Sequence, residues 1–320
     1  MTYSFKYLAF ITTFYSLSAG ANTLSDGIEL FNQREYKQAM PIFESLSNSG
    51  DIEATYWLGA SQYRTDKMFE AGHTFLKAAK KGNPWAMDRL VPRDGSPCSY
   101  LSWPCDQAWE DKAISIWNKQ AANGSGKAMS MLLLRESPLW QIIPFYNQYR
   151  YNKLFEKAIP LGGYTLTRTI SLLSSKETRY KHLLTAANHG YAPAMTSLFY
   201  YKNILSLDER LEWCFKAINL GYSRAAATLS IAYTDGSQGV IKDKTKAIYY
   251  MFIEENLNKN HDEFILKSNI EYIISDEINI QTDNKKIDYN IDNIKARADK
   301  FTENIKSNMF LDESSFEMRN

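Results

Sequence analysis

Histidine and cysteine are scarce in this sequence, and neither stands in a catalytic pattern. The four histidines, His73, His182, His189 and His261, form no HExxH motif. Only His182 and His189 are near one another, towards the end of one helical segment, where a cation suits the helix dipole. With no cysteine or carboxylate beside them they do not make a metal site. No GxSxG nucleophile elbow and no glycine-rich phosphate loop of the GxxxxGK type occurs. Carboxylate pairs such as Glu110/Asp111 and Glu254/Glu255 are adjacent, so on a helix they diverge and do not converge on one substrate. The sequence therefore offers no catalytic residues, no metal ligands and no cofactor motif, and a non-enzymatic protein is expected. Net charge is also lacking. The 37 basic residues nearly cancel the 36 acidic ones, and no basic cluster is interleaved with aromatics, which excludes an obvious nucleic-acid surface.

What is present begins with a leader pattern. Lys6 supplies a positive charge, Tyr7 to Leu17 form a short apolar run, and Ala19-Gly20-Ala21 offers a small-x-small cleavage site. The run is too short for a permanent span of roughly 20 residues. Residues 1–21 read as a cleavable signal peptide, and the mature chain from Asn22 is expected in the periplasm or outside the cell, with no stable membrane span after cleavage. In an oxidising compartment Cys98 and Cys105, in "GSPCSYLSWPCDQ", can close a local loop, with a chain-entropy contribution of about 2–3 kcal/mol. Cys214, in "LEWCFKAINLGY", reads as a small buried hydrophobe on a helix face.

An internal repeat dominates the rest. Glycine closes a corner at Gly50, Gly82, Gly124, Gly162, Gly190 and Gly221, and four residues later stand Ala54, Ala86, Ala128, Leu166, Ala194 and Ala225. A glycine just past a helix takes the left-handed conformation of a Schellman cap without a Cβ clash. The next helix starts at once, with Pro84 or Pro193 in its first turn, where a missing N–H is harmless. Alanine marks the closest approach of two helices. Leu58, Leu90, Leu132, Leu198 and Leu229 follow four residues on, on the same face. Between corners the segments carry apolar residues at three- and four-residue steps. The pattern predicts an all-α, right-handed α-solenoid of about seven helix pairs over residues 22–257, each pair burying its apolar face only by stacking on its neighbours.

The segment "AAATLSIAYTDGSQGVIKDKTKAIYYMF", Ala225 to Phe252, resembles a complete Sel-one-like repeat, with its alanine, leucine, tyrosine, two loop glycines, Val240, Asp243 and Lys246-Ala247 ahead of an aromatic helix face. "EATYWLGASQYR" and the recurring AAxxG corners resemble the same family, a relative of tetratricopeptide repeats. The likeness covers about residues 30–257 and is degenerate outside that one repeat: Leu166 replaces the corner alanine, and most copies lack the loop glycines. The resemblance brings to mind penicillin-binding chemistry, but no SxxK occurs.

Two insertions depart from the repeat, at about residues 91–105 and 136–150, and both are aromatic. Insertions in solenoids gather on one face and often carry binding. Tyr100, Trp103, Trp140 and Phe145 either plug gaps between irregular repeats or make partner contacts; as candidate contacts they stand with Tyr146, with Tyr56 and Tyr63, which lie off the alanine–leucine face of one first helix, and with Tyr201, similarly offset in another. Residues 258–320 are expected to form a C-terminal helical extension in which Ile287, Ile291, Ile294, Ala298, Phe301 and Ile305 make one apolar stripe suited either to capping the solenoid or to binding a partner as an amphipathic helix. The final "DESSFEMRN" is expected to be loose.

An exported repeat scaffold without chemistry points to a protein-binding module. Within the family, exported solenoids of this size resemble immunity proteins that neutralise a type VI secretion phospholipase or similar periplasm-acting toxin by occlusion. They also resemble envelope regulators and host-interacting adaptors. A single irregular solenoid with bespoke aromatic insertions favours the first, with a secreted lipase-type toxin as partner. A cell-wall glycan binder, prompted by the abundant tyrosine and tryptophan, is the third expectation.

Overall fold

The computed structural model describes residues 22–133, 135, 144–169, 175–259, 263–275 and 290–318. The expected signal peptide, Trp140 and Ile287 lie outside these residues. Among the described residues seven helix pairs follow one another: α1 (Leu24–Asn32) with α2 (Tyr36–Asn48), α3 (Ile52–Tyr63) with α4 (Met68–Lys80), and α5 (Pro84–Arg89) with α7 (Ala108–Ala122), the short α6 (Pro97–Tyr100) lying between the last two. Then come α8 (Gly126–Leu133) with α9 (Pro144–Ala158), α10 (Leu166–Thr169) with α11 (Lys176–Asn188), α12 (Ala192–Leu198) with α13 (Leu207–Asn219), and α14 (Ser223–Asp235) with α15 (Lys244–Asn258). Two further helices, α16 (Glu263–Ser275) and α17 (Ile291–Thr302), follow. The chain is an α-solenoid, and among the described residues there is no strand.

Each of the six corners is the predicted device. The glycines have φ between 84° and 103°. At every corner the glycine N–H donates to the carbonyl three residues back, and the next N–H to the carbonyl five back, as in Tyr191 to Ala186 and Tyr222 to Ala217. These two bonds define a Schellman motif. In the first three corners a polar side chain then caps the following helix: Asp51 accepts from the Ala54 N–H at 2.9 Å, Asn83 from Ala86 at 2.8 Å and Ser125 from Ala128 at 3.2 Å. The corner alanines and Leu166 are all buried.

The buried side chains form two clusters that meet at α8, one centred on Trp57, Phe75 and Trp117, the other running from Phe155 through Leu198 and Leu229 to Ile253. Cys214 is buried in the second, as its apolar helix face implied. The first insertion is pinned by the Cys98–Cys105 disulfide, with a Cα–Cα distance of 5.9 Å. The second departs from its reading as an insertion: its described end, residues 144–150, is the start of α9, with Pro144 in the first turn, where it lacks no needed donor.

The C-terminal extension is only partly helical. α17 buries Ile294 and Ala298 against α15, so this part of the stripe covers the last pair, while Phe301 stays 38% exposed. The tail beyond it corrects the expectation of a loose end. It runs back as extended chain and ends in a short 3-10 turn, Phe316–Met318, with Ser314, Ser315 and Met318 buried. Composition suggested disorder, but the tail has a preformed polar and apolar bed in the rest of the fold.

One packing constraint is open to direct measurement. A Cβ on Gly126, at the start of α8, would strike the carbonyl oxygens of Ala158 and Leu161 and the amide of Gly163 in the next corner. Since backbone cannot move aside as a side chain can, Gly126→Ala is expected to destabilise the chain by about 1–3 kcal/mol in urea unfolding.

Candidate functional site

The inner face of the solenoid carries a groove, and the tail lies in it. Three corners that lack a polar cap explain part of its lining. Where the first corners have Asp51, Asn83 and Ser125, the later ones have Gly163, Tyr191 and Tyr222. Tyr191 and Tyr222 make no cap and instead present their rings to Phe310 of the tail, edge to face, at 6.2 and 5.9 Å between centroids. Gly221 gives the backbone room: a Cβ there would overlap the Lys306 carbonyl oxygen.

Backbone pairing fixes the tail's path. The Asn308 N–H donates to the Gly221 carbonyl at 2.9 Å, and the Met309 N–H to the Asn32 carbonyl at 3.0 Å. The buried Asn32 side chain then takes both backbone groups of one residue: its Oδ1 accepts from the Leu311 N–H at 2.6 Å and its Nδ2 donates to the Leu311 carbonyl at 3.0 Å. An amide side chain used in this way substitutes for a neighbouring strand and reads an extended backbone whatever its sequence. The tail thereby joins the first pair to the last, where Lys306 and Glu29 (2.8 Å) and Lys259 and Glu35 (2.5 Å) also pair across the gap.

Charge decides the rest. The tail contributes Asp312, Glu313 and Glu317, and the groove answers with cations. Glu313 accepts from Trp57 Nε1 at 3.1 Å and from Lys127 Nζ at 2.7 Å. Burial works against the Lys127 charge, but the Glu313 and Asp312 carboxylates outweigh it and raise its pKa. Asp312, whose carboxyl is pushed up by burial against the pull of Lys127, folds back onto Ser314 and Ser315 to start the final turn. Glu317 meets Arg168 through its carboxylate and Arg64 through its carbonyl. Burial alone would raise Glu317, but the hydrogen bond and charge of Arg168 carry it below the ordinary glutamate value. At the end, Arg89 donates to the Met318 carbonyl. The guanidinium of Arg89 is buried, 4.9 Å from the Tyr63 ring centroid, 5.4 Å from Phe75 and 5.7 Å from Trp103.

The residues singled out in the sequence fall into different places. Tyr56 is 1% exposed, packed between Trp57 and Phe75, and offers no surface to a partner. Trp103 is buried against Gly72, where a Cβ would overlap its ring, and donates to the Met68 carbonyl at 3.0 Å. Tyr201 is buried beside Tyr180. These three support the fold, because helix pairs here are close-packed on both faces and spacing from the alanine does not distinguish groove from interior. Tyr63 is half-buried and shares a 2.9 Å hydrogen bond with Tyr100, which is 56% exposed at the rim. Phe145 and Tyr146 stand in α9, and their side chains, like Trp140, lie outside the described residues. Sequence reasoning missed Asn32, Trp57, Arg89, Lys127, Arg168, Tyr191 and Tyr222. The signal for the two tyrosines was the loss of the polar cap after the glycine; for the cations it was the acidic tail that they face. Among the described residues no group of three or more His, Cys, Asp or Glu is placed to hold a metal ion, and no helix is long and apolar enough to cross a membrane.

Two measurements probe the docked tail. Asn32→Ala strips the Leu311 amide of its acceptor, at a cost of about 1–3 kcal/mol, so hydrogen exchange there is expected to accelerate by about fivefold to a hundredfold while the corner amides stay protected. Glu317, with its depressed folded pKa, adds stability that is present above the ordinary glutamate range near 4.3 and is lost as the pH falls through the folded value. The difference in thermal midpoint between the unaltered chain and Glu317→Gln is therefore expected to be largest above about pH 5 and to close in acid. A difference that persists unchanged in acid assigns Glu317 a packing role only.

No protein-family model matches the chain, and no curated protein matches it. Among solved structures, it is similar to a protective antigen present in uropathogenic Escherichia coli strains, displaying an SLR fold, at 16% identity over 87% of this chain, with a TM-score of 0.44. The chain spans 60% of the length of that antigen. It is also similar to a Sel1 repeat protein from Oxalobacter formigenes, at 19% identity over 71% of this chain and 94% of the other, with a TM-score of 0.40. In both cases the similarity is to a Sel-one-like repeat protein, the family that the glycine corners of this chain resemble.

Proposed function

We propose that this is an exported, protein-binding solenoid whose inner groove recognises an extended acidic segment, with its own tail as the resident occupant. The observation that carries this reading is the bidentate pairing of Asn32 with the Leu311 backbone, flanked by Lys127 on Glu313 and Arg168 on Glu317. Backbone pairing supplies affinity for any extended chain, and the cations select acidic side chains. Export is supported by the leader pattern and by the disulfide, which persists in an oxidising compartment.

Within this class the specific role proposed is that of an immunity protein covering the active-site mouth of a periplasm-acting phospholipase-type toxin. Its support is the disulfide-pinned insertion that carries Tyr100 to the groove rim as an exposed aromatic anchor. A regulator or adaptor is the second reading, favoured by the tail itself, since an occupied groove is one that a partner opens by competition. Tyr100, Tyr63 and the insertion aromatics Trp140, Phe145 and Tyr146 remain the proposed partner contacts outside the groove. Binding to cell-wall glycan ranks below both, because Tyr56, Trp103 and Tyr201 are core residues and not a groove lining.

Affinity capture from the periplasm of the native host tests these readings. Glu317→Ala loosens the tail without altering the groove, so it is expected to recover a protein partner several-fold more tightly than the unaltered chain, and Lys127→Ala less tightly. Equal recovery by all three removes the groove from partner binding. A lipase-type protein in stoichiometric yield supports the immunity role; an envelope sensor or enzyme supports the adaptor.

A further inference from the structure

Beside the docked tail, between the first and last pairs, lies a cavity of about 200 Å³ whose wall includes Arg34, Arg64, Arg168 and Arg224. Glu317 is the one carboxylate in that wall. Arg168 is engaged by its side chain and Arg64 by its carbonyl. Arg34 and Arg224 make no ion pair and no side-chain hydrogen bond among the described residues, and the Arg34 Nε is buried with no acceptor. The Arg34 field reaches Glu254 and the Arg224 field reaches Glu317, but no salt bridge joins either pair. Tyr191, Tyr222 and Ser223 are hydroxyl-bearing residues of the same wall, and the Tyr36 hydroxyl donates to Met309 Sδ of the tail.

We propose that this cavity is a binding site for a phosphate-class dianion, held between Arg34 of the first pair and Arg224 of the last. The two free guanidinium forks provide planar pairs of donors suited to an oxyanion. Hydroxyl groups supply single donors for its remaining oxygens. Four cations against one carboxylate leave a surplus of positive charge in the wall, which a bound anion offsets. A liquid water occupies about 30 Å³, so the space admits a tetrahedral oxyanion together with water. Because the two arginines come from opposite ends of the solenoid, the anion closes the gap that the tail also spans. Because Asn308 to Leu311, Ser315 and Glu317 also line the cavity, the site exists while the tail is docked, and a partner that displaces the tail opens it.

Calorimetric titration of the full chain with inorganic phosphate, against chloride at matched ionic strength, tests the proposal. Saturable binding is expected for phosphate and not for chloride, with at least tenfold weaker affinity in Arg34→Gln/Arg224→Gln and a clear loss in Arg224→Gln alone. Arg224 is exposed on α14, so the single variant keeps the fold, which an unchanged far-ultraviolet dichroism spectrum verifies. Glycerol phosphate titrated in parallel separates the sources: tighter binding than inorganic phosphate identifies an organic phosphoester, and equal binding the free ion. Absence of saturable phosphate binding, or unchanged affinity in Arg224→Gln and in the double variant, overturns the site. Neither result bears on the groove's partner, which the capture experiment decides separately.

Discussion

The Schellman corner is the constraint from which everything else follows. Two hydrogen bonds and one left-handed glycine fix how each helix pair hands over to the next, six times in succession. Because the same closure recurs at each step, the pairs advance along one curve and their first helices face inward. That curvature brings Glu29 and Glu35, near the start of the chain, within reach of Lys306 and Lys259, near its end. Without a repeated corner there would be no inner face, and residues more than 200 positions apart could not share a groove.

The inner face raises a problem that the tail resolves. A groove lined by Trp57, Tyr191 and Tyr222 would expose aromatic surface, and a line of cations including Arg89, Lys127 and Arg168 would stand mutually repelled. Laying residues 305–318 along it buries Met318 in the first core cluster and Phe310 against the second, while the acidic side chains meet the cations one by one. The tail thus acts on the solenoid from the inside as α17 does from the end. It also shows what the groove recognises: an extended backbone read by an amide, acidic groups at defined intervals and an apolar residue at the far end. A segment of the same chemistry from another protein would compete directly.

Several elements were legible from residues alone. The glycine–alanine spacing located every corner and the number of pairs, because a Schellman motif is local and its requirements are written within about six residues, whereas the pair boundaries between residues 91 and 180, where the repeat is degenerate, were not legible. The disulfide was legible for the same reason, its partners being seven residues apart in an irregular insertion. The groove was not. Trp57 and Arg89 both stand seven residues past their corner glycines, and Lys127 and Arg224 both three past, yet so do many residues that face elsewhere. Tyr56 and Trp57 are neighbours in sequence and both buried, yet only the indole of Trp57 donates to the tail.

The sequence by itself therefore determined the solenoid, its seven pairs, its local cross-link and the apolar stripe of α17, all of which depend on contacts between residues close along the chain. Only the tertiary structure decided where the tail goes. Its hydrogen bonds reach from Leu311 to Asn32 and from Glu313 to Trp57, across separations of 279 and 256 residues. A polar, acidic segment read locally carries no apolar period and resembles solvated chain; its order comes from a bed that exists once the pairs have stacked. The same holds for the four arginines, which come from four separate pairs and acquire a common cavity only through the curvature that the corners impose.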